Sequence, residues 1–248
     1  MLNHNLQDLS MAGVYWELTE EPIKQIKKQK PIQQSFQTSQ DKSEKNIIVP
    51  PTAPITLDTV KSMIVRPETI EALTRMVAEF NHPLRSGATN VVLPNIASNP
   101  NGLLIITDLP SSEDDLSGNI LSGNAGDMVD KMLSAIDMTR KNVSIIPILF
   151  WRTPGGRTPT REEIDLSMPF VEKMINMLKP RIIITFGTLA TTEIAKSNLN
   201  DAHGKEITSE NGYTIIPMYH PNYLILKPSA KRDVWSALQN VQKLLKNV

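Results

Sequence analysis

Two residues of types that enzymes use for proton transfer and charge stabilisation follow apolar runs in this chain. Asp108 comes directly after LLIIT, and His220 follows YTIIPMY and precedes Pro221 and Asn222. Each also has a simpler interpretation. A histidine at a strand end can be satisfied by backbone groups alone, and an aspartate before LPSS can cap a helix or a turn. Taken singly, His220 favours the simpler interpretation, whereas for Asp108 the two interpretations are level.

A long polar loop follows Asp108 and leads into a predicted helix. It contains three glycines: Gly118, Gly123 and Gly126. Such a loop suits close approach of a phosphate or a base to backbone N–H groups, although a need for unusual backbone conformation explains the glycines better. Its acidic residues, Glu113, Asp114 and Asp115, are predicted to form a solvated turn with no catalytic role.

Basic residues occur in the segments that follow two other apolar runs. They are Arg152, Arg157, Lys227, Lys231 and Arg232. Exposed surface charge is the simpler explanation for them. Their predicted position in loops at the same sheet edge as His220 favours phosphate contacts, which would position a nucleic acid without selecting its sequence.

The elements that must position these residues form an alternating pattern from residue 90 onward. Apolar runs rich in Ile, Val and Leu, such as NVVLPN, LLIITD, VSIIPILF, RIIITFG and YTIIPMY, alternate with amphipathic segments. This pattern is typical of a parallel sheet covered by helices on both faces. We therefore predict an α/β fold of about 160 residues: a three-layer α/β/α sandwich with a central, mainly parallel, four-stranded sheet, whose ligands bind beyond the carboxyl ends of the strands.

One helix is predicted before this core in the sequence and one after it, and residues 1–55 are predicted to be separate from it. One helical stretch covers roughly 57–80, and a final helix runs from Ser229 to about Lys246. Residues 1–30 are predicted to form a helical segment with a docking or partner-contact role. The Gln-, Ser- and Lys-rich residues 31–55 are predicted to form a disordered linker. The main domain is thus expected at 56–248.

Composition excludes several classes of site. The chain of 248 residues has no cysteine and four scattered histidines, so we expect no disulfide, no thiolate site and no metal centre. Lys plus Arg and Asp plus Glu both number 26, so net charge does not indicate a partner. No apolar run reaches the ~18 residues of a membrane span, and no signal peptide is evident, which predicts a soluble cytoplasmic protein.

Four motifs in order resemble the family 4 uracil-DNA glycosylases of bacteria. They are TDLPSSEDDLSGNILSGNAG (107–126), WRTPGGRTPTREEIDLSMPF (151–170), IIITFGTLA (182–190) and YHPNYLILKPSAKRDVWSAL (219–238). The resemblance covers about residues 81–245. It implies the glycosylase fold and hydrolysis of the N-glycosidic bond of a deaminated base that is flipped out of DNA.

The resemblance also assigns roles to residues. His220 corresponds to the histidine that stabilises the anion of the departing base, and Asp108 stands for a glutamate that holds the water or stabilises the cationic sugar. The base pocket would consist of Leu109, Leu121, Pro147 and Gly187. Asn222 would join the basic residues in binding DNA, and residues 223–226 form a candidate DNA-probing loop.

The chain departs from the family pattern at several of these positions. Leu121 replaces an aromatic residue that stacks on the base, a contact worth ~1 to 3 kcal/mol. Pro147 replaces the asparagine that recognises the uracil edge, and it offers no side-chain donor or acceptor. The cysteines of the family's iron–sulfur cluster fall at Trp151, at Ser167 and near His82, so no four-thiolate cluster can form. Trp151 is instead expected to fill the space as apolar core.

The sequence therefore predicts a base-excision repair protein that hydrolyses the N-glycosidic bond of uracil or another deaminated base, with no metal or cofactor. Its expected partner is damaged DNA, single- or double-stranded, and we expect a monomer in the bacterial cytoplasm that is associated with the nucleoid when acting. Loss of the asparagine leaves an alternative open. In that alternative the protein is a catalytically degenerate DNA-binding or interaction protein that retains the fold.

Overall fold

The computed structural model describes residues 55–246. The chain divides between Pro51 and Thr52 into two units, and the described residues belong to the second. The predicted helical segment 1–30 and nearly all of the predicted linker lie outside the described residues. In the part of the chain that the structure describes, no helix is both long enough and apolar enough to cross a membrane.

The core is a five-stranded sheet. Its strands are β1 (Leu103–Thr107), β2 (Ser144–Pro147), β3 (Ile182–Phe186), β4 (Ile207–Thr208) and β5 (Thr214–Met218). The strand order is β2-β1-β3-β5-β4, and all pairs are parallel except β4–β5. The predicted mainly parallel sheet is confirmed, and the short antiparallel β4 adds a fifth strand at one edge.

Nine helical segments surround the sheet in the described range. They are α1 (Leu57–Met63), α2 (Ile70–Glu79), α3 (Ser112–Ser117), α4 (Gly123–Ser134), α5 (Arg161–Leu178), α6 (Thr188–Ala190), α7 (Leu199–Ala202), α8 (Pro221–Leu226) and α9 (Lys231–Lys246). A π-helical turn, Thr191–Ala195, continues α6, and three 3₁₀ turns lie at Pro83–Gly87, Pro154–Gly156 and Pro228–Ala230.

Two hydrophobic clusters cover the two faces of the sheet. Alternate residues of a strand point to opposite faces, and in β1 Leu104 and Ile106 join one cluster while Leu103 and Ile105 join the other. Helices α1, α2 and α5 supply side chains to the first cluster, and α4 and α9 supply them to the second. The expected α/β/α sandwich is thereby confirmed.

Two predicted elements differ from the structure. The helix expected over roughly 57–80 is broken into α1 and α2, because Pro67 lacks a backbone N–H and disfavours helical backbone before it. The apolar run NVVLPN forms no full strand. It makes only isolated bridges, from Leu93 to Asn119 and from Asn95 to Ile145.

Candidate active site

The carboxyl ends of the parallel strands bring four of the predicted site residues to one edge. The last residue of β1, Thr107, pairs with Pro147 of β2 on one side and with Phe186 of β3 on the other. Asp108 follows β1 directly, Gly187 follows β3, and His220 lies two residues beyond β5. This edge is where ligands bind in parallel α/β sheets.

His220 is held at both ring nitrogens. It is the N-cap of α8, and its Nδ1 accepts the backbone N–H of Asn222 at 3.2 Å. In the neutral ring Nε2 therefore carries the hydrogen, and this atom lies 3.2 Å from the hydroxyl oxygen of Thr107. Burial lowers the pKa of His220 to about 4, against a smaller opposing effect of Asp114. The imidazole is thus a neutral hydrogen-bond donor at physiological pH.

Asp108 faces the turn that follows β3. Its Oδ1 accepts the backbone N–H of Ala190 at 2.7 Å. Burial raises the pKa of this carboxyl to about 6, and the backbone N–H groups of Ala190, Leu189 and Thr188 oppose the rise. The interpretation of Asp108 as a local helix cap is wrong, because Ser111 caps α3, the next helix along the chain. The carboxylate of Asp108 instead accepts a backbone N–H at the start of α6.

Gly187 makes the approach of Asp108 possible. Its φ is +98°, and a Cβ built on it would lie 2.2 Å from Oδ2 of Asp108. Any side chain there would displace the carboxylate and would also strain the backbone. Position 187 of the predicted base pocket is therefore a glycine for steric reasons.

The remaining predicted pocket residues are apolar and largely covered. Leu121 is 2% exposed, belongs to the cluster on the α4 and α9 face, and has a positive φ of 49°. Arg140 donates to the carbonyl oxygen of Leu121 at 2.7 Å and so stabilises that turn. Pro147 is buried and Leu109 is half-buried. None of these side chains offers a hydrogen bond to a base.

The acidic turn after Asp108 is not solvated, so that prediction was wrong for two of its three residues. Asp114 and Asp115 are 5% and 6% exposed, while Glu113 is exposed. Oδ1 of Asp114 accepts the N–H and the hydroxyl of Ser122 at 2.6 and 2.8 Å. Oδ1 of Asp115 accepts the backbone N–H groups of residues 89 and 90. For Asp115 sequence pattern missed this role because its partners lie up to 26 positions away. For Asp114 a local signal existed, since Ser111 and Asp114 have the spacing of a capping box.

Helix α8 carries an apolar surface beside His220. Leu226 is 84% exposed, Ile225 39% and Tyr223 37%. The ring of Tyr223 packs on Tyr219 with centroids 4.9 Å apart, and Tyr219 stacks on His203 at 4.0 Å. This aromatic stack packs against Tyr223 and so stabilises α8, while Leu226 at the end of the helix is exposed.

The predicted DNA-binding residues fall into two groups. The first is exposed around α8 and the start of α9, and comprises Asn222, Lys227, Lys231 and Arg232. The second lies beyond β2, where Arg152 is half-buried. There Arg157 forms a bidentate ion pair with Glu163, with distances of 2.9 and 2.5 Å. Arg157 is therefore engaged in stabilising the start of α5, while the first group is available to solvent.

The positions of the family's cluster cysteines are filled by a packed core. Trp151 is fully buried, and its ring stacks on His82 with centroids 4.4 Å apart and planes 4° apart. His82 donates from Nε2 to the carbonyl oxygen of Glu163 at 3.0 Å, and Ser167 donates to that of Ile148 at 2.7 Å. An iron–sulfur cluster does not fit here, because neither the thiolates nor the space exists. Within the described range no group of three or more His, Asp or Glu side chains could hold a metal ion.

The fold and the edge residues define a class: an α/β/α sandwich with a neutral histidine aimed over the carboxyl ends of parallel strands. The sequence profile of the Uracil DNA glycosylase superfamily matches residues 95–240, and the chain belongs to this superfamily. Membership confirms the predicted enzyme class, the DNA glycosylases of DNA repair, which are hydrolases acting on N-glycosyl bonds.

Three curated relatives of the chain are type-4 uracil-DNA glycosylases. The chain is similar to the type-4 uracil-DNA glycosylase of Pyrobaculum aerophilum, with 28% identity over 53% of this chain and 72% of the relative. For the type-4 enzyme of Archaeoglobus fulgidus the identity is 25%, over 65% of this chain and 85% of the relative. For that of Thermotoga maritima it is 26%, over 74% and 98%.

Proposed function

We propose that this protein removes uracil or another deaminated base from DNA by hydrolysing the N-glycosidic bond, without a metal or a cluster. The observation that carries the proposal is the hydrogen-bond geometry of His220. Its Nδ1 accepts a backbone N–H, so Nε2–H, which donates to the hydroxyl oxygen of Thr107 in the free protein, is the group that can donate to a substrate. A neutral imidazole donor at this sheet edge suits the anion of a departing base.

The reaction assigns distinct tasks to the two strand-end residues. The C1′–N bond breaks with its electron pair moving to the base, and the oxygen of a water molecule bonds to C1′ as the water loses a proton. That proton is taken up in the end by the base anion, so that the products are the free base and the abasic sugar. His220 stabilises the negative charge on the base by donating from Nε2. Asp108 stabilises the cationic sugar or orients the water, and for this it must be ionised. With a pKa of about 6, its carboxyl is mostly ionised at neutral pH.

The apolar lining of the proposed pocket is the reason that we propose several deaminated bases as substrates. Leu109, Leu121 and Pro147 supply apolar contact only, and Pro147 stands where the family has the asparagine that distinguishes uracil. A pocket without that amide rejects other deaminated bases less strongly. Hypoxanthine and xanthine are therefore substrates to compare with uracil.

Binding of DNA is assigned to the exposed group around α8. Because Lys227, Lys231 and Arg232 are exposed, we assign phosphate contacts to them, and we assign entry into the base stack to the exposed Leu226 when a nucleotide flips out. We infer that the protein acts as a monomer on damaged DNA in the bacterial cytoplasm, at the nucleoid.

Two features favour a second function. The carboxylate of Asp108 already accepts a backbone N–H at the start of α6, and Pro147 removes direct recognition of the base edge. A protein with these two features alone would bind DNA without cleaving it. The retained His220 geometry favours the enzyme over this DNA-binding alternative.

The deciding experiment measures base release from oligonucleotides that contain uracil, hypoxanthine or xanthine, followed by alkali cleavage of the abasic site. We expect product from at least one substrate, and a loss of about 10² or more in single-turnover rate for His220→Ala. Thermal melting of the variant checks that it folds. If the wild-type protein binds these oligonucleotides and yields no product from any of them, the DNA-binding alternative is correct and the enzyme proposal fails.

A further inference from the structure

Thr107 is a polar residue of the site that the sequence motifs do not assign. It is the last residue of β1, is 3% exposed, and places its hydroxyl oxygen 3.2 Å from Nε2 of His220. The two residues are 113 positions apart in the chain.

The contact spans a strand. His220 follows β5, Thr107 ends β1, and β3 lies between these two strands. The imidazole therefore reaches past the carboxyl end of β3 to contact the last residue of β1. The hydroxyl lies at the edge of the sheet where ligands bind in parallel α/β folds.

The direction of the hydrogen bond follows from the other ring nitrogen. Since Nδ1 of His220 accepts the N–H of Asn222, Nε2 is the donor and the Thr107 oxygen is the acceptor. Threonine is branched at Cβ, so its χ1 is restricted and the position of the oxygen is set by the strand. With both nitrogens held, the ring has one orientation.

We propose that Thr107 is a positioning residue that acts through His220. Its hydroxyl keeps Nε2–H directed over the sheet edge in the free protein, and a keto oxygen of the bound base then takes or shares that hydrogen. The inference rests on the proposed function and adds to it. Thr107 of β1 orients the Nε2–H donor of His220, because the turn around residue 220 holds only the other ring nitrogen, Nδ1.

The effect of removing the hydroxyl is expected in the chemical step. In Thr107→Val the shape of the side chain is retained, while the ring keeps only its bond to Asn222 and can rotate about it. We expect the single-turnover rate to fall about 10-fold, since a lost orienting hydrogen bond of about 1.4 kcal/mol corresponds to that factor. KM should change little. Thr107→Ser should retain a rate within about twofold of wild type, because the acceptor is kept.

A matched control is Thr185→Val. Thr185 is a fully buried threonine of the adjacent strand β3, and its hydroxyl bonds to Thr191 at 3.0 Å. Like Thr107→Val, this substitution removes a hydroxyl from a buried strand position, but it leaves the contact of His220 with Thr107 in place. Its rate should stay close to wild type even if its melting temperature falls as much as that of Thr107→Val.

The test combines these rates with ¹⁵N and ¹H NMR of the His220 ring. The expected result is a slow-exchanging Nε2–H signal in wild type, Thr107→Ser and Thr185→Val that is lost in Thr107→Val, together with the selective fall in rate. If the wild-type protein releases no base, the proposed function fails while the NMR signal still tests the pairing. An unchanged signal in Thr107→Val, or an active wild type with full rate in Thr107→Val, overturns the inference.

Discussion

At the scale of single residues, the site joins two groups whose pKa values shift in opposite directions and exchange their order. Burial lowers that of His220 to about 4 and raises that of Asp108 to about 6. Both shifts have the same cause, because removal from water penalises the charged form of either residue. Between these two values and above them the imidazole is mostly neutral, so changes in rate near pH 6 belong to the carboxyl.

We predict that base release rises with pH through about 6 and then levels off, because Asp108 must lose its proton to act. Single-turnover rates of wild type and Asp108→Asn between pH 4.5 and 8 check this. The variant should be slower at pH 7.5 and should lack the rise near pH 6. A rise near pH 6 that persists in Asp108→Asn would assign the titration to another group.

Stability has a related dependence with a definite sign. The folded-state pKa of Asp108 lies above its ordinary value of 3.8, so the folded protein binds this proton more tightly than the unfolded chain. Its contribution is complete below pH 3.8 and is lost as pH rises through about 6. Asp108→Asn removes this loss and keeps an oxygen acceptor for Ala190. Its melting temperature relative to wild type should therefore be higher at pH 7.5 than at pH 4.

At the scale of elements, the aromatic core between β2 and α5 holds segments that come from distant parts of the chain. Trp151 and His82 are stacked, and Phe80 lies 5.0 Å from Phe170 between ring centroids. Of these side chains, Trp151 occupies a position where the resembled family places a cluster cysteine, and His82 lies near another. The structure thus stabilises this corner by burial of aromatic area, which needs no iron.

Removal of the buried indole should be costly. For Trp151→Ala we expect a loss of about 3 to 5 kcal/mol in the free energy of unfolding, since a large cavity is left in a close-packed region. Urea denaturation measures it. Trp235→Ala is the matched control, because Trp235 is 41% exposed and its loss should cost only about 1 kcal/mol. Equal losses in the two variants would contradict a structural role for the stack.

At the scale of the whole molecule, charge is balanced overall and concentrated locally. Lys plus Arg equals Asp plus Glu at 26 each, yet Lys227, Lys231 and Arg232 are all exposed next to the apolar tip of α8. A local basic group of this kind can bind DNA without a strongly basic protein. Its contribution should appear in the salt dependence of binding.

We predict that the double variant Lys231→Ala/Arg232→Ala binds DNA more weakly and that its log–log salt slope falls by about 2, one unit for each phosphate contact. Fluorescence anisotropy with a labelled duplex at several salt concentrations measures both. Lys243→Ala/Lys246→Ala is the control, since it removes the same charge from the last turn of the same helix. A slope that changes equally in both variants would place the DNA elsewhere.

The sequence by itself determined the sandwich, its four parallel strands and the position of His220 and Asp108 at strand ends. These are local properties, because apolar runs and their spacing are visible in a few adjacent residues. The break at Pro67 belongs to the same kind of signal. The apolar spacing on both sides of Pro67 nevertheless fits one helix, so the sequence predicts a single helix over 57–80 where the structure has two.

Only the tertiary structure decided which groups meet. The contact of Thr107 with His220, the stack of Trp151 on His82, and the bonds of Asp115 to residues 89 and 90 all join residues that are brought together by packing. The direction of the Asp108 carboxylate toward α6 belongs to this set as well. Partners of a buried polar group, and the dielectric environment that shifts its pKa, depend on chain segments far away in sequence, so no local pattern could have specified them.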